Sequence, residues 1–244
     1  MESTKTRILK KLLETDGYLS GQDLCEQLGV SRTAVWKYMK QLKEEGYEIE
    51  AVQNKGYCLK DVPDVLGESE IKSRLHTRWA GQTLYYYDEI DSTNTQIKRL
   101  AEEDAPHGTL AVADYQSKGK GRRGHAWDSP HGSAIYMSIL FRPDIRPDRA
   151  SMLTLVIGLS VAQAIRSNLG VQAQIKWPND IVLNGKKLVG ILTEMSAQMN
   201  YIEYLVTGIG INANLREFPE ELADKATSLQ KEIGHKVNRS ALIA

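Results

Sequence analysis

Hydrophobic residues recur at helical spacing in three segments near the start of the chain, at residues 6–15, 21–28 and 32–45. Ser20 and Ser31 directly precede the second and third segments, where a serine hydroxyl can accept a hydrogen bond from a free backbone N–H group of a helix. Three helices in this order, the last two separated by a short turn, are typical of a helix-turn-helix. The pattern therefore predicts a small helical domain whose third helix is able to enter the major groove of DNA.

After residue 46 the spacing of hydrophobic positions changes to the two-residue period of β-strands. Residues 47–52 alternate, residues 54–56 form a predicted turn, and residues 57–59 return as a second strand. A hairpin directly after the third helix predicts a winged helix-turn-helix. We expect Arg32 and Thr33 to reach base edges, while the lysines of the third helix and of the wing suit phosphates. The predicted DNA-contacting set is Gly21, Ser31, Arg32, Thr33, Lys37, Lys40 and Lys55.

The net charge of the chain limits the ways in which such a domain could bind DNA. Lysine plus arginine equals aspartate plus glutamate at 31 each, so DNA binding would rest on local charge rather than on a basic protein. One winged helix reads only a few base pairs, and a homodimer on a two-fold symmetric operator is therefore expected. The alternative is a winged helix that contacts proteins, with its cations merely hydrated.

Beyond the wing the pattern predicts a second, larger domain. Residues 63–68 follow neither period and contain proline and glycine, so they form a predicted linker between domains at 1–62 and 69–244. Strands are then predicted at 83–87, 109–115, 133–141, 171–176, 181–183, 187–196 and 201–207, and helices at 93–103 and 148–169. This order indicates an α/β (α+β) domain around a mixed, partly antiparallel sheet.

Composition excludes several classes of protein. Hydrophobic residues make up 41% of the 244 positions and charged residues 25%, which is ordinary for a globular protein. The longest apolar run, near residues 153–159, is far short of the roughly 20 residues that cross a bilayer, so no membrane association is expected. The N-terminus lacks the apolar core of a signal peptide. Cys25 and Cys58 form neither a disulfide framework nor a zinc motif, so we expect a cytoplasmic protein without metal ligands of its own.

A glycine-rich basic segment, residues 116–127, is the first candidate for chemistry. It contains G-x-G-x-x-G, but no helix is predicted after Gly124, so it is not a dinucleotide fingerprint, and the spacing of a P-loop is absent. Charged donors beside exposed backbone N–H groups suit a phosphate. The alternative is an exposed basic loop without a ligand.

Three further segments add candidate ligand contacts. Residues 91–94 form a polar cluster at a helix start, in which Asn94 offers an amide beyond what capping needs. Residues 175–180 place Lys176 at a strand end before a proline turn, where a cation can neutralise charge on a phosphoryl group. Residues 208–212 contain two glycines that let the backbone approach a flat ligand closely.

The four segments, in this order and behind a winged helix, are together specific for one protein family. Over essentially all 244 residues the chain resembles the bifunctional biotin–protein ligases and biotin operon repressors of BirA type. The resemblance implies a catalytic domain of the biotin/lipoate ligase fold and a two-step reaction. Biotin and ATP, with Mg²⁺, would give biotinyl-5′-AMP and pyrophosphate, and a lysine of the biotin carboxyl carrier protein would then take the biotinyl group. No covalent enzyme intermediate is needed.

The resemblance also implies roles for individual residues. The catalytic residues would be Lys176, Arg122 and Lys120, with Lys176 the most important for the rate. Biotin would contact Ser92, Thr93, Asn94, Gln116, Lys120, Gly121, Arg122 and Lys176. The nucleotide would contact Arg123, Trp127, Asn179, Gly190, Gly208, Gly210 and Asn212. Biotinyl-5′-AMP would act as corepressor by ordering the basic loop and promoting a homodimer, which would repress genes of biotin biosynthesis or transport.

Two features depart from the resemblance. Many relatives have arginine where this chain has Lys120, and lysine cannot make the planar bidentate contact. Two-function relatives commonly continue into an SH3-like C-terminal domain, whereas this chain stops at Ala244 in what is predicted to be the start of a helix. One alternative is therefore a ligand-sensing DNA-binding repressor with impaired ligase activity. A lipoate–protein ligase and a purely catalytic ligase without operator binding are two others.

Overall fold

The structure, a computed structural model, describes residues 2–244, which form two compact units. The first unit ends at His76 and the second spans Thr77–Ile243. The helices of the first unit are α1 (Thr4–Glu14), α2 (Gly21–Leu28), α3 (Arg32–Glu44) and α4 (Glu68–Lys72). Its strands β1 (Glu48–Val52) and β2 (Gly56–Asp61) pair antiparallel as a hairpin. The predicted helix-turn-helix and its wing are both present.

Serine caps determine where the three predicted helices begin. Ser3, Ser20 and Ser31 each accept a hydrogen bond from a backbone N–H group in the first turn of α1, α2 and α3. The backbones of Leu19 and Tyr57 exchange hydrogen bonds of 2.7 and 2.9 Å, which tie the wing to the segment before α2. Helices and wing share one buried core: Ile8, Leu9, Leu12, Leu24, Val35, Met39, Leu42 and Ile49.

The chain after the wing differs from the predicted linker at 63–68. Helix α4 follows almost at once, and it packs against α1 within the first unit. Ile71 is completely buried, and Lys5 of α1 donates a hydrogen bond of 3.3 Å to Glu70. The division between the two units falls after His76 because these contacts hold α4 to the helical domain.

The second unit is built on one seven-stranded sheet. Its strands are β3 (Leu84–Ile90), β4 (Leu110–Gln116), β5 (Ile135–Phe141), β6 (Gln174–Lys176), β7 (Asp180–Leu183), β8 (Lys186–Ala197) and β9 (Ile202–Ile211). The order across the sheet is β3-β4-β5-β9-β8-β7-β6; β3 and β4 are parallel and the other pairings are antiparallel. The helices are α5 (Thr93–Glu102), α6 (Ala150–Leu169), α7 (Leu229–Ile233) and α8 (Arg239–Ile243). The predicted mixed sheet is confirmed.

Two long helices cover opposite faces of this sheet. Side chains alternate between the faces along β5, so Ile135 and Leu140 point to opposite sides. Ile135 packs in a cluster with Val161 and Ile165 of α6, whereas Leu140 packs with Ile97 of α5. The polar start of α5 is thereby brought over the middle strands, on the face opposite α6.

Helix α6 is the most apolar element of the fold. By length and composition alone, the segment Pro147–Leu169, with a mean hydropathy of 1.4, is able to cross a membrane. Serine, threonine and glycine interrupt the segment, so its uninterrupted apolar runs are short. Gly158, Ala162 and Ile165 are buried on the side that packs against the sheet. Part of its apolar surface is therefore explained by packing within the unit.

Strand β9 extends beyond its predicted end at residue 207. It continues through Gly208 and Gly210, where β5 pairs with it on one side and β8 on the other. Hydrogen bonding on both sides holds these glycines extended, although glycine alone is a poor strand former. The short helix α7 was not predicted, whereas the helix expected near the end of the sequence is α8.

Candidate functional site

A pocket, here called the central pocket, opens on the α5 face of the sheet. Its empty volume is about 460 Å³. The start of α5, the basic loop 116–127 and strands β5, β8 and β9 supply most of its walls. The lining residues are Ser92, Thr93, Asn94, Gln116, Lys120, Gly121, Arg122, Trp127, Tyr136, Met137, Asn179, Lys187, Gly190, Ile191, Leu192, Gly208, Ile209 and Gly210. Apolar walls with a few convergent polar groups are typical of a site for a small organic ligand.

One end of the central pocket is a network of neutral polar side chains, all of them buried. Gln116 Oε1 accepts hydrogen bonds from the backbone N–H and the hydroxyl of Thr93, at 2.9 and 3.1 Å. Gln116 Nε2 donates to Ser129 Oγ at 3.1 Å. Ser138 Oγ lies 2.7 Å from Thr93 Oγ1 and 2.6 Å from Asn94 Oδ1. Such a network holds its donors and acceptors in place for a neutral polar group of a ligand.

The amide of Asn94 is held on its nitrogen side by β8. Asn94 Nδ2 donates to Glu194 Oε2 at 2.8 Å and to the backbone oxygen of Leu192 at 3.3 Å. Lys98 Nζ donates to Glu194 Oε1 at 2.6 Å. Burial acts to raise the pKa of the Glu194 carboxyl, but the hydrogen bonds from Lys98 and Asn94 outweigh it, and the pKa is lowered. The carboxylate is therefore charged at neutral pH.

The floor of the central pocket is bare backbone at Gly190 and Gly210, which pair directly across β8 and β9. The indole of Trp127 lies against both: a Cβ atom added at Gly190 or Gly210 would be 2.5 or 2.6 Å from a ring carbon. Trp127 Nε1 is buried and makes no hydrogen bond within residues 2–244. Glycine is required here because only a residue without a side chain lets a flat aromatic group approach the backbone this closely.

The basic loop 116–127 folds back on itself as a short hairpin. Neutral groups hold two of its cations at the pocket. Lys120 Nζ donates to Thr95 Oγ1 at 2.8 Å, and Arg122 Nη1 donates to Asn179 Oδ1 at 2.9 Å. Because these partners carry no charge, the loop presents two cations that suit an anionic ligand.

Lys187 is a third cation of the pocket, and it was not among the predicted site residues. Its Nζ lies 5.3 Å from the centroid of the Trp127 ring and 2.9 Å from Asp180 Oδ1. The neighbouring Lys186 instead donates to the backbone oxygen of Ala223. The sequence signal was weak because the two lysines are adjacent after a turn, and only the tertiary structure distinguishes them.

All but three of the residues predicted to bind biotin or nucleotide line the central pocket. Lys176 is exposed at the end of β6, the edge strand of the sheet, and does not line the pocket. It pairs with Asp180, which pairs with Gly190, so it lies on the same face of the sheet as the pocket floor, and its catalytic role stays a prediction. Arg123 is exposed and lines a neighbouring cavity together with Lys120 and Glu194. Asn212 is buried and donates to the backbone oxygen of Thr227, so it anchors the segment after β9. The residues that prediction missed are Tyr136, Met137, Lys187, Ile191, Leu192 and Ile209.

A second candidate site lies on α3 in the first unit. Arg32, Thr33, Lys37 and Lys40 are exposed on this helix, as predicted. Ser31 caps the helix, and its hydroxyl accepts a hydrogen bond from the backbone of Ala34. Two other predicted residues lie outside α3: Gly21, half-buried, begins α2, and Lys55 in the wing turn has its Nζ 5.6 Å from the Tyr18 ring.

Trp36 is the residue of α3 that prediction missed. Its side chain is 60% exposed, and Lys40 Nζ lies 5.9 Å from the ring centroid. Trp36 lies one helical turn from both Arg32 and Lys40, so its ring is on the same exposed face as the predicted cations. We therefore place Trp36 with Arg32, Lys37 and Lys40 in the candidate DNA-contacting surface.

Comparison with known proteins finds similarity over both units. A family model described as the biotin/lipoate A/B protein ligase family matches residues 86–212, and a model described as an HTH domain matches residues 4–58. The chain is similar to the bifunctional ligase/repressor BirA of Bacillus spizizenii, with 47% identity over 100% of this chain and 76% of that protein. The corresponding values for BirA of Escherichia coli are 34%, 96% and 71%.

Comparison with solved structures also finds similarity to biotin protein ligases. The chain is similar to the biotin protein ligase from Aquifex aeolicus in complex with biotin and ATP. The TM-score is 0.57 and the identity is 38%, over 66% of each chain.

Proposed function

Because the chain belongs to the biotin/lipoate A/B protein ligase family, as a biotin ligase of the ligase/repressor type, we propose that the central pocket is where biotin reacts with ATP. The carboxylate of biotin attacks the α-phosphorus of ATP, which forms the mixed anhydride biotinyl-5′-AMP and releases pyrophosphate. A lysine amine of the biotin carboxyl carrier protein then attacks the acyl carbon, which forms an amide and releases AMP.

One observation carries this proposal: the pocket joins a neutral hydrogen-bonding end to a glycine floor, with three cations beside them. The ring of biotin is a neutral cyclic urea, which needs the donors and acceptors of the network around Gln116. The adenine base is flat and suits the indole of Trp127, which itself rests on the floor at Gly190 and Gly210. We assign the carboxylate and the phosphates to Arg122 and Lys187, with Lys120 nearby.

The chemistry then needs no covalent step on the protein. Two anionic reactants must be brought together, and the cations offset their repulsion and the charge that develops at the α-phosphoryl group. Holding the carboxylate in line with the phosphorus removes most of the entropic barrier. In this proposal Lys187 shares the role that the resemblance implied for Lys176, which lies on the same face of the sheet.

Magnesium is proposed to arrive with ATP. Within residues 2–244 no cluster of three His, Cys, Asp or Glu side chains is present that could hold an ion alone. A site without such a cluster can still use Mg²⁺, because that ion keeps several waters and is commonly held by substrate phosphates with one or two carboxylates. Asp180, which pairs with Gly190 and lies 2.9 Å from Lys187 Nζ, is the carboxylate that would assist.

Release of pyrophosphate tests the proposed reaction. With ATP and biotin the protein is expected to release pyrophosphate, whereas lipoate should give no more than the background rate. The dithiolane ring of lipoate has no N–H or carbonyl group to pair with Thr93, Asn94 or Gln116, so those buried groups would lose their partners. A faster reaction with lipoate than with biotin would instead identify a lipoate ligase.

For the first unit we propose sequence-specific DNA binding through α3. Arg32→Ala and Lys37→Ala are each expected to weaken binding by about tenfold or more, since each removes a cation that can reach a base edge or a phosphate. The probe is DNA selected by the wild-type protein from a random library, measured by fluorescence anisotropy at one fixed salt concentration. Lys43→Ala, on the last turn of the same helix, is the matched control and should bind like the wild type. Wild-type affinity in both test variants would argue that α3 does not read DNA.

We also propose that biotinyl-5′-AMP promotes a homodimer and so couples the pocket to repression in the cytoplasm. A ligand shifts an association equilibrium only by binding one state more tightly, so the adenylate must favour the dimer. Sedimentation equilibrium is expected to give a dimerisation constant at least about tenfold tighter with biotinyl-5′-AMP than without it, within the usual range of such couplings. The same constant in both conditions would contradict the corepressor scheme.

A further inference from the structure

The orientation of one buried amide decides which kind of ligand group the central pocket accepts. Asn94 is 3% exposed, so each polar atom of its side chain needs a partner in the protein or in a ligand. Both hydrogens of Nδ2 have acceptors on β8, at Glu194 Oε2 and at the backbone oxygen of Leu192. Of the two lone pairs of Oδ1, one faces Ser138 Oγ at 2.6 Å. The remaining lone pair is the only hydrogen-bonding capacity that Asn94 keeps for a ligand.

Glu194 is the group that prevents the reverse orientation. Rotating the amide by half a turn would place Asn94 Oδ1 against the Glu194 carboxylate, an acceptor against a charged acceptor. In a buried site such a contact is far more costly than the neutral hydrogen bond that it replaces. The contact with Leu192 is longer, at 3.3 Å rather than 2.8 Å, so the carboxylate contributes more.

Lys98 keeps this carboxylate in place. It lies one turn after Asn94 on α5, and its Nζ is 2.6 Å from Glu194 Oε1. The two carboxylate oxygens are thus divided between Lys98 and Asn94. These hydrogen bonds outweigh the cost of burying the charged carboxylate, so Glu194 stays ionised and accepts a hydrogen bond from Asn94.

We infer that Glu194 is a positioning residue for biotin: it holds Asn94 as a hydrogen-bond acceptor, and the pocket thereby selects a ligand whose ring presents an N–H donor. Glu194 is outside the lining of the central pocket and acts through Asn94. The inference rests on the proposed function, since the ureido group of biotin supplies the N–H donor.

The first test removes the carboxylate. Glu194→Ala is expected to raise the Kd for biotin about tenfold, since the amide is then free to turn its donor toward the ligand. KM for biotin should rise equally, while kcat for adenylate formation should stay within about twofold, because Glu194 does not touch the reacting atoms. Glu203→Ala is the matched control: that carboxylate lies on β9, is bonded to Ser196 and Gln198, and should leave the Kd unchanged.

The second test exchanges the two groups. Asn94→Asp places two carboxylates together and should weaken biotin binding by about a hundredfold. In the double variant Asn94→Asp with Glu194→Gln, the glutamine can accept from Lys98 and donate to the new aspartate, whose second oxygen again accepts from the ligand. We expect this double variant to bind biotin at least about tenfold more tightly than Asn94→Asp alone. Thermal unfolding of each variant separates loss of binding from loss of folding.

The outcomes are distinct. Glu194→Ala with wild-type affinity, or a double variant no better than Asn94→Asp, would overturn the positioning role while leaving the proposed reaction intact. A wild-type protein that neither binds biotin in calorimetry nor releases pyrophosphate with ATP would overturn the proposed function itself. Loss of binding in the single variants with recovery in the double variant is a pattern that a merely structural defect does not produce.

Discussion

Replacing Lys187 by alanine is expected to slow the formation of biotinyl-5′-AMP by about a hundredfold to a thousandfold, the usual effect of removing one electrostatic donor from a site where negative charge develops. Its Nζ lies beside the Trp127 ring and Asp180, at the edge of the glycine floor. Biotin should still bind, since the polar end of the pocket is built from other residues. Single-turnover release of pyrophosphate measures the rate, and calorimetry measures the binding of biotin.

Lys176→Ala is the comparison that shows which of the two lysines contributes more to the rate of adenylate formation. The sequence favours Lys176, which stands at a strand end beside a proline turn, but the structure leaves it exposed on the edge strand β6. Lys176 pairs with Asp180 and lies on the pocket face two strands from Gly190, so we expect Lys176→Ala to slow adenylate formation less than Lys187→Ala does. A large loss in Lys176→Ala with little loss in Lys187→Ala would reverse the assignment.

Gly210→Val is expected to lower kcat/KM for ATP by about a hundredfold or more, because a displacement of about 1 Å at a reacting centre can cost that much. A Cβ atom at this position would lie 2.6 Å from the Trp127 ring and would displace the indole on which a flat base is proposed to stack. Gly210 has an extended backbone in β9, which valine readily adopts, so the expected defect is local. Steady-state kinetics with varied ATP, at saturating biotin, measure the effect.

Gly158→Ala provides the comparison for this glycine. Gly158 lies in α6 on the other face of the sheet, and an added Cβ atom would be 3.8 Å from a methyl group of Ile191, an ordinary contact. That variant should keep wild-type kinetics and gain slightly in helix stability. If Gly210→Val retained its kcat/KM for ATP, the nucleotide would have to bind elsewhere than against the Trp127 ring.

Local sequence determined the secondary structure and the segments of the site. Serine caps and hydrophobic spacing define α1, α2 and α3, because a helix start and a buried helical face depend on residues three or four positions apart. The same holds for the strand pattern of the second unit and for the polar cluster before α5. Glycine and proline mark turns directly, so the four candidate segments could be found without the fold.

Only the tertiary structure decided which side chains meet. Lys186 and Lys187 are equivalent by pattern, yet one bonds a backbone oxygen and the other contacts Trp127. Glu194 reaches Asn94 across 100 positions of sequence, and α4 joins the helical unit because it packs on α1. The physical reason is that such contacts depend on strand order and register, which bring distant residues together, whereas spacing along the chain records only the near neighbours of each residue.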